Sequence, residues 1–140
     1  MKKMKDLAYH YGLKMQIYPS HQQKEIIKIN SDVGRAVYNK LIEIDKELYL
    51  LRQVKLPIEK IIDRINELET RKKAGNMANH YQYMQDKRVD SNTLANAIKN
   101  YKSAWNMFRK VHRTGVPKFR KKSSCENYQT NTHFHKSESI

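Results

Sequence analysis

Residues 20–52 read SHQQKEIIKINSDVGRAVYNKLIEIDKELYLLR, and the spacing of their apolar side chains decides the fold class. Ile26, Ile29, Val33, Val37, Leu41, Ile44, Leu48 and Leu51 recur three or four residues apart, which places them on one stripe of a helix. Ser20 followed by Gln23 has the form of a capping box at its start. Asn30-Ser31-Asp32 and Gly34 interrupt the run, and Asp32 is able to cap a fresh start. The expectation is two helices, about 20–30 and 33–52. Two helices across a short break have the outline of a helix-turn-helix, and equally of a helical hairpin that merely packs.

Upstream, Leu13, Met15 and Ile17 alternate with Lys14, Gln16 and Tyr18, the pattern of a short half-buried strand closed by Pro19. Downstream, Pro57 suits the first turn of another helix, whose apolar face is Ile58, Ile61, Ile62, Ile65 and Leu68. Arg71-Lys72-Lys73 followed by Gly75-Asn76 reads as its end. Residues 76–88 are polar and read as loop or weak helix. Asp90 or Ser91 then caps a helix with the stripe Leu94, Ala97, Ile98, Tyr101, Ala104, Trp105 and Phe108. Trp105 lies on that stripe, which favours a core role over a base-stacking one. Asn92, Asn96, Lys99, Asn100, Lys102 and Lys110 lie largely outside it. An outward face of Asn and Lys without carboxylates suits phosphates, sugars and base edges, although a merely solvated face carries the same residues.

The charge is unevenly spread. The 140 residues carry 28 Lys+Arg against 14 Asp+Glu, a net +14, yet residues 31–70 have 7 basic and 8 acidic residues while 71–110 have 9 and 2. Clustered positive charge of this kind points to a polyanionic partner. Gly115-Val116-Pro117-Lys118-Phe119-Arg120-Lys121-Lys122 alternates cations with Val116 and Phe119, so a strand there would put apolar groups on one face and cations on the other. A single cysteine, Cys125, excludes an internal disulfide framework and a Cys-paired zinc site. No run long enough to cross a membrane and no apolar signal core are present, so the expected location is cytoplasmic.

Five stretches occur in a telling order: Gln16-Ile17-Tyr18-Pro19, Gly34-Arg35-Ala36-Val37-Tyr38-Asn39-Lys40, the Asp90–Phe108 helix, Gly115 to Lys122, and Tyr128-Gln129-Thr130. Together they resemble the N-terminal region of TnpB, also called OrfB, a transposase-accessory protein of a prokaryotic insertion-sequence family and a relative of the miniature type V CRISPR nucleases. The resemblance covers about residues 13–132. It implies a mostly α chain, a helix-turn-helix-like helical bundle flanked by short β-strands of an incomplete wedge β-barrel. Residues 1–19 would hold the basic N-terminus and first wedge strand (Leu13–Tyr18). Residues 20–112 would form the helical recognition insert, and 113–140 the returning wedge strands (Val116–Arg120 and Tyr128–His133) with a mobile tail.

In the family these parts hold a guide RNA scaffold and read a short DNA motif beside the target. By position, the motif-reading residues implied are Ser91, Ala95 and His133, with Asn92 and Asn96 as neighbours; a family Lys and Gln are replaced by Ser91 and Ala95. Arg35, Lys99, Lys102, Lys118, Arg120, Lys121 and Lys122 would contact phosphate. Tyr38 and Asn39 read equally as packing residues. Family members continue into a RuvC-like nuclease with three catalytic carboxylates and a Cys-paired zinc element. Here only Glu126 and Glu138 follow position 90, and two-metal cleavage needs clustered carboxylates. The expectation is therefore a truncated, non-enzymatic copy without cofactor or metal. It would bind guide RNA or DNA, alone or with a downstream-encoded nuclease half, the alternative being a helical protein-interaction module. Cys125, His133 and His135 match no standard zinc spacing. Isolated glycines give no phosphate loop, and no nucleophile–base constellation is evident.

Overall fold

The computed structural model of the chain describes residues 6, 8, 9, 11–55, 58–123 and 126–131. Its frame is a long helix α1 (His21–Arg52) crossed by α4 (Ser91–Lys110). Between them run α2 (Glu59–Arg71), the short α3 (Ala74–His80) and a 3₁₀ turn, Gln82–Gln85. A second 3₁₀ turn, His112–Thr114, follows α4.

The start of α1 is as the sequence reads: Ser20 Oγ accepts from Gln23 N–H at 3.3 Å, and Ser20 N–H donates to Gln23 Oε1 at 2.8 Å. The expected break at 30–34 is not there. One helix of 32 residues runs through it, about 48 Å long at 1.5 Å per residue. Each apparent breaker is instead used for a contact. Asn30 is 1% exposed, and its Nδ2 donates to Ile26 C=O (2.9 Å) and Arg88 C=O (2.8 Å), while its Oδ1 accepts from Asp90 N–H (2.8 Å) and Thr93 Oγ1 (3.1 Å). All four hydrogen-bonding positions of the amide are filled. Asp32 pairs with Arg35 at 2.6 Å rather than capping backbone. Gly34 is buried against α4; a methyl there would lie 3.4 Å from Thr93 Cγ2. Gly and Asn lower helix propensity by up to about 1 kcal/mol each, and these tertiary contacts override that cost.

The core is the predicted α1 stripe meeting α4: Val33, Val37, Leu41, Ile44 and Leu48 against Leu94, Ala97, Ile98 and Tyr101. Tyr38 meets Tyr101 edge-to-face, centroids 5.3 Å apart, the arrangement that the ring quadrupoles favour. The Tyr101 hydroxyl donates to Asp45, and burial above all pushes its pKa up, so it remains a neutral donor. Residues 76–88 are more ordered than their polarity suggests, because Met77 and Met84 are both buried plugs. Gly75 does not end α2 as expected but sits inside α3; the α2 terminus is closed by Asn76 Nδ2 donating to Thr70 C=O at 3.0 Å.

Of the predicted α2 stripe only Leu68 is buried, and Ile58 and Ile62 remain 46% and 48% exposed. Pro57 lies outside the described residues. Charge pairs accompany the modest α2 packing: Arg64 to Glu47 (2.7 Å) and Glu67 (3.0 Å), Arg52 to Glu69, and Lys72 to Asp45 (2.8 Å).

No strand is present among the described residues, which corrects the expected flanking wedge strands. Leu13, Met15 and Ile17 are 76%, 72% and 66% exposed. Alternation sets which face a strand would bury, but a ladder needs a partner backbone. Val116–Arg120 is also without strand structure. Its stretch around Arg120 meets a side chain instead, as described next. Tyr128–Asn131 takes no strand either, and residues 132 and 133 lie outside the described set.

Candidate nucleic-acid interface

Residues 118–123 and 126–131 fold back over the α1–α4 pair as a strap. Asn39 Oδ1 accepts from Arg120 N–H at 2.8 Å and Asn39 Nδ2 donates to Arg120 C=O at 3.0 Å. One amide side chain thereby supplies both bonds that a neighbouring strand would supply. The Arg120 guanidinium lies 3.8 Å from the centroid of the buried Tyr38 ring, and Lys46 Nζ lies 4.3 Å from that of Phe119. Tyr128 reaches the Gly34 surface of α1. Asn96 Nδ2 donates to Gln129 C=O at 2.9 Å, and the Thr130 hydroxyl donates to Asp90. Asp90 also caps α4 by accepting from Asn92 N–H at 2.9 Å. The Thr130 hydroxyl and then the Asn92 amide hold the Asp90 carboxyl below its usual range.

The strap divides α4 into three faces. Leu94, Ala97, Ile98 and Tyr101 face the core. Asn96 and Asn100 face the strap, while Thr93 packs on Asn30 and Gly34 of α1. Ser91, Ala95, Lys99, Lys102, Asn106 and Arg109 are all exposed; spaced three or four apart, they form one solvent-facing stripe. The 20-residue helix has four cations and no carboxylate. Several acids elsewhere are neutralised at short range: Asp32 by Arg35, Glu43 by Lys40, Asp45 by Lys72, Glu47 by Arg64, Glu69 by Arg52. The cations of α4 face no acid on their own helix, and the strap adds the exposed Lys118, Lys121 and Lys122.

The sequence-predicted contacts divide accordingly. Ser91, Ala95, Lys99 and Lys102 stand on the exposed stripe, and Lys118, Lys121 and Lys122 are exposed along the strap. Asn92 is half-buried at the cap. Asn96, expected to face outward, is 6% exposed beneath the strap. Arg35 is drawn inward, its side chain 15% exposed and paired to Asp32, and Arg120 is half-buried on Tyr38. His133, with Cys125 and His135, lies outside the described residues. The sequence reading misses Arg109, on the same stripe as Lys102, and the clamp role of Asn39; the i, i+3 and i+4 spacing from Ser91 is the available signal for the former. Among the described residues no group of His, Cys, Asp or Glu is placed to hold a metal ion, and no helix is long and apolar enough to cross a membrane.

Residues 8–53 match the helix-turn-helix domain family of OrfB proteins of the IS605 type (HTH_OrfB_IS605). The match covers residues 8–20 and all of α1, about a third of the chain, and agrees with an OrfB-type N-terminal region. No curated protein and no solved structure matches the chain. Within the matched region the described backbone has no turn between residues 21 and 52; α1 instead finds its helical partner in α4.

Proposed function

We propose that the chain binds nucleic acid as part of a TnpB/OrfB-type, transposition-related protein, holding guide RNA or motif-flanked DNA and not cutting it. The observation that carries this reading is the solvent-facing stripe of α4, cationic and free of carboxylates, beside the exposed lysines of the strap. The family match at residues 8–53 supports it independently. Lys99, Lys102, Arg109, Lys118 and Lys122 neutralise phosphates, and Ser91 and Ala95 present the first turns of α4 to base edges. Phosphate contacts fix position and base-edge contacts carry sequence preference. Counterion release then makes affinity fall with salt, with a log–log slope of about −0.7 to −0.9 per phosphate neutralised.

Fluorescence-anisotropy titration of labelled RNA and DNA at several salt concentrations tests this. Replacing Lys99, Lys102, Lys118 and Lys122 with Ala should weaken binding to unrelated sequences alike and flatten the slope by roughly one for each phosphate no longer neutralised. Salt-independent binding, or a quadruple variant that binds as wild type, overturns the proposal.

A further inference from the structure

Beside the α4 stripe lies a groove of about 1110 Å³, walled by α4, the C-terminal half of α1 and the α2–α3 junction. We propose that it seats a single-stranded stretch of nucleic acid, with bases stacked on its aromatic walls; this rests on the nucleic-acid-binding reading above and names the form of the ligand. Two properties of the lining point there.

The first is charge. The groove's two carboxylates, Asp45 and Glu69, are already occupied by Lys72 (2.8 Å) and Arg52. Lys73, Lys102 and Arg109 also line it, and none has an acidic partner within 4.0 Å among the described residues; Arg109 donates to Asn106, at 3.0 Å. The lining therefore carries uncompensated positive charge and complements a polyanion.

The second is aromatic surface. Tyr49 stands on the α1 wall 65% exposed. Trp105 on the α4 wall packs against the core, as its stripe position predicts, but is only half-buried and so keeps part of its ring in the groove, steadied edge-to-face by Tyr101 and Phe108 at 6.5 and 6.0 Å between centroids. Cations that track a backbone together with rings that accept base faces are the two parts of a single-strand site. A duplex keeps its base faces stacked inside and offers such rings nothing. From Ala95 to Arg109 the groove follows α4 for about 21 Å at 1.5 Å per residue. That length exceeds a small ligand and takes a short run of nucleotides.

The protein's single tryptophan, Trp105, reports on the groove directly. Titrating the full chain with oligothymidylate, with the matching oligouridylate, with a duplex of equal phosphate concentration and with polyglutamate, while following both tryptophan emission and the anisotropy of a labelled strand, separates the outcomes. Single strands are expected to quench Trp105 and duplex and polyglutamate are not. Tyr49→Ala, at an exposed position that leaves the core intact, should lower single-strand affinity by roughly 5- to 150-fold, the range for losing one stacking platform, with little change for duplex. Strand binding that raises anisotropy without quenching Trp105, or equal quenching by duplex or polyglutamate, overturns the groove assignment and leaves nucleic-acid binding standing. Absence of any anisotropy change overturns both.

Discussion

Replacing Asn39 with Ala tests whether the strap is an integral layer of the fold. The side chain makes two part-buried hydrogen bonds to one residue, accepting from Arg120 N–H at 2.8 Å and donating to Arg120 C=O at 3.0 Å. At about 0.5–1.5 kcal/mol net for each, their loss costs about 1–3 kcal/mol. Releasing the strap also lifts the Arg120 guanidinium from the Tyr38 ring, 3.8 Å away, a contact that adds about 0.5–2 kcal/mol. Local opening should therefore speed exchange of the Arg120 amide by roughly 5- to 150-fold from the hydrogen bonds alone. Amide hydrogen exchange resolved at residues 119–121 reads this, with the helical signal in circular dichroism unchanged because α1 and α4 keep their core. Asn39→Asp, which retains the acceptor and lacks the donor, should fall between. If Arg120 exchanges in Asn39→Ala as it does in wild type, the strap is not held by this clamp and the three-face description of α4 fails.

Gly34→Ala removes a helix-interior glycine, worth about 1 kcal/mol of propensity, and its methyl meets Thr93 Cγ2 at 3.4 Å and Tyr128 Cβ at 3.9 Å, contact distances without overlap. A neutral to modestly raised melting temperature is expected; clear destabilisation would show that the α1–α4 approach is tighter than described. Asp90 titrates below its ordinary 3.8 because the Thr130 hydroxyl and the Asn92 amide favour its charged form. A lowered folded pKa gives stability that is present above the unfolded value and lost as pH falls through the folded one. Urea unfolding should thus show wild type exceeding Asp90→Ala by about 0.5–2 kcal/mol near neutrality, the usual worth of a cap, with the gap closing in the acid range; a gap constant down to low pH would refute the assignment. Ser20→Ala should cost a similar cap-sized amount by the same assay, because Gln23 then loses its reciprocal partner.

Much of the helical frame is legible in the sequence because it depends on local chemistry. The capping box at Ser20, the stripe from Val33 to Leu48 and the cap at Asp90 all follow from short-range spacing, and each is present. The failures share one cause. Asn30, Gly34 and Asn96 read, by their local tendencies, as a break, a break and an outward polar face. Their roles are set by residues far along the chain: Arg88 and Asp90 for Asn30, Thr93 for Gly34, and Gln129 for Asn96. Nothing in a window of neighbours reveals such a partner. The expected strands fail for the same reason, since alternation at Leu13–Ile17 and Val116–Phe119 says which side is apolar and not what backbone would pair with it.

The strap also changes which side chains of α4 are open to a ligand. Asn92, Asn96 and Asn100 look in the sequence like the readable face, because amide side chains match base edges. Asn96, buried, is instead directed at Gln129 and Asn131, and Asn100 at Gln129, so reaching them with a nucleic acid would require displacing the strap and breaking those hydrogen bonds, at about 0.5–1.5 kcal/mol for each. The Ser91–Arg109 stripe carries no such cost, because its side chains are already solvated and its cations face no carboxylate on the same helix. On the proposed reading, a ligand that approaches by charge is guided to the stripe, around α4 from the asparagines, and the strap lysines extend that surface. Ser91 and Ala95 at the exposed first turns carry sequence preference on that reading, and exchanging those two residues should alter it while leaving the salt slope unchanged.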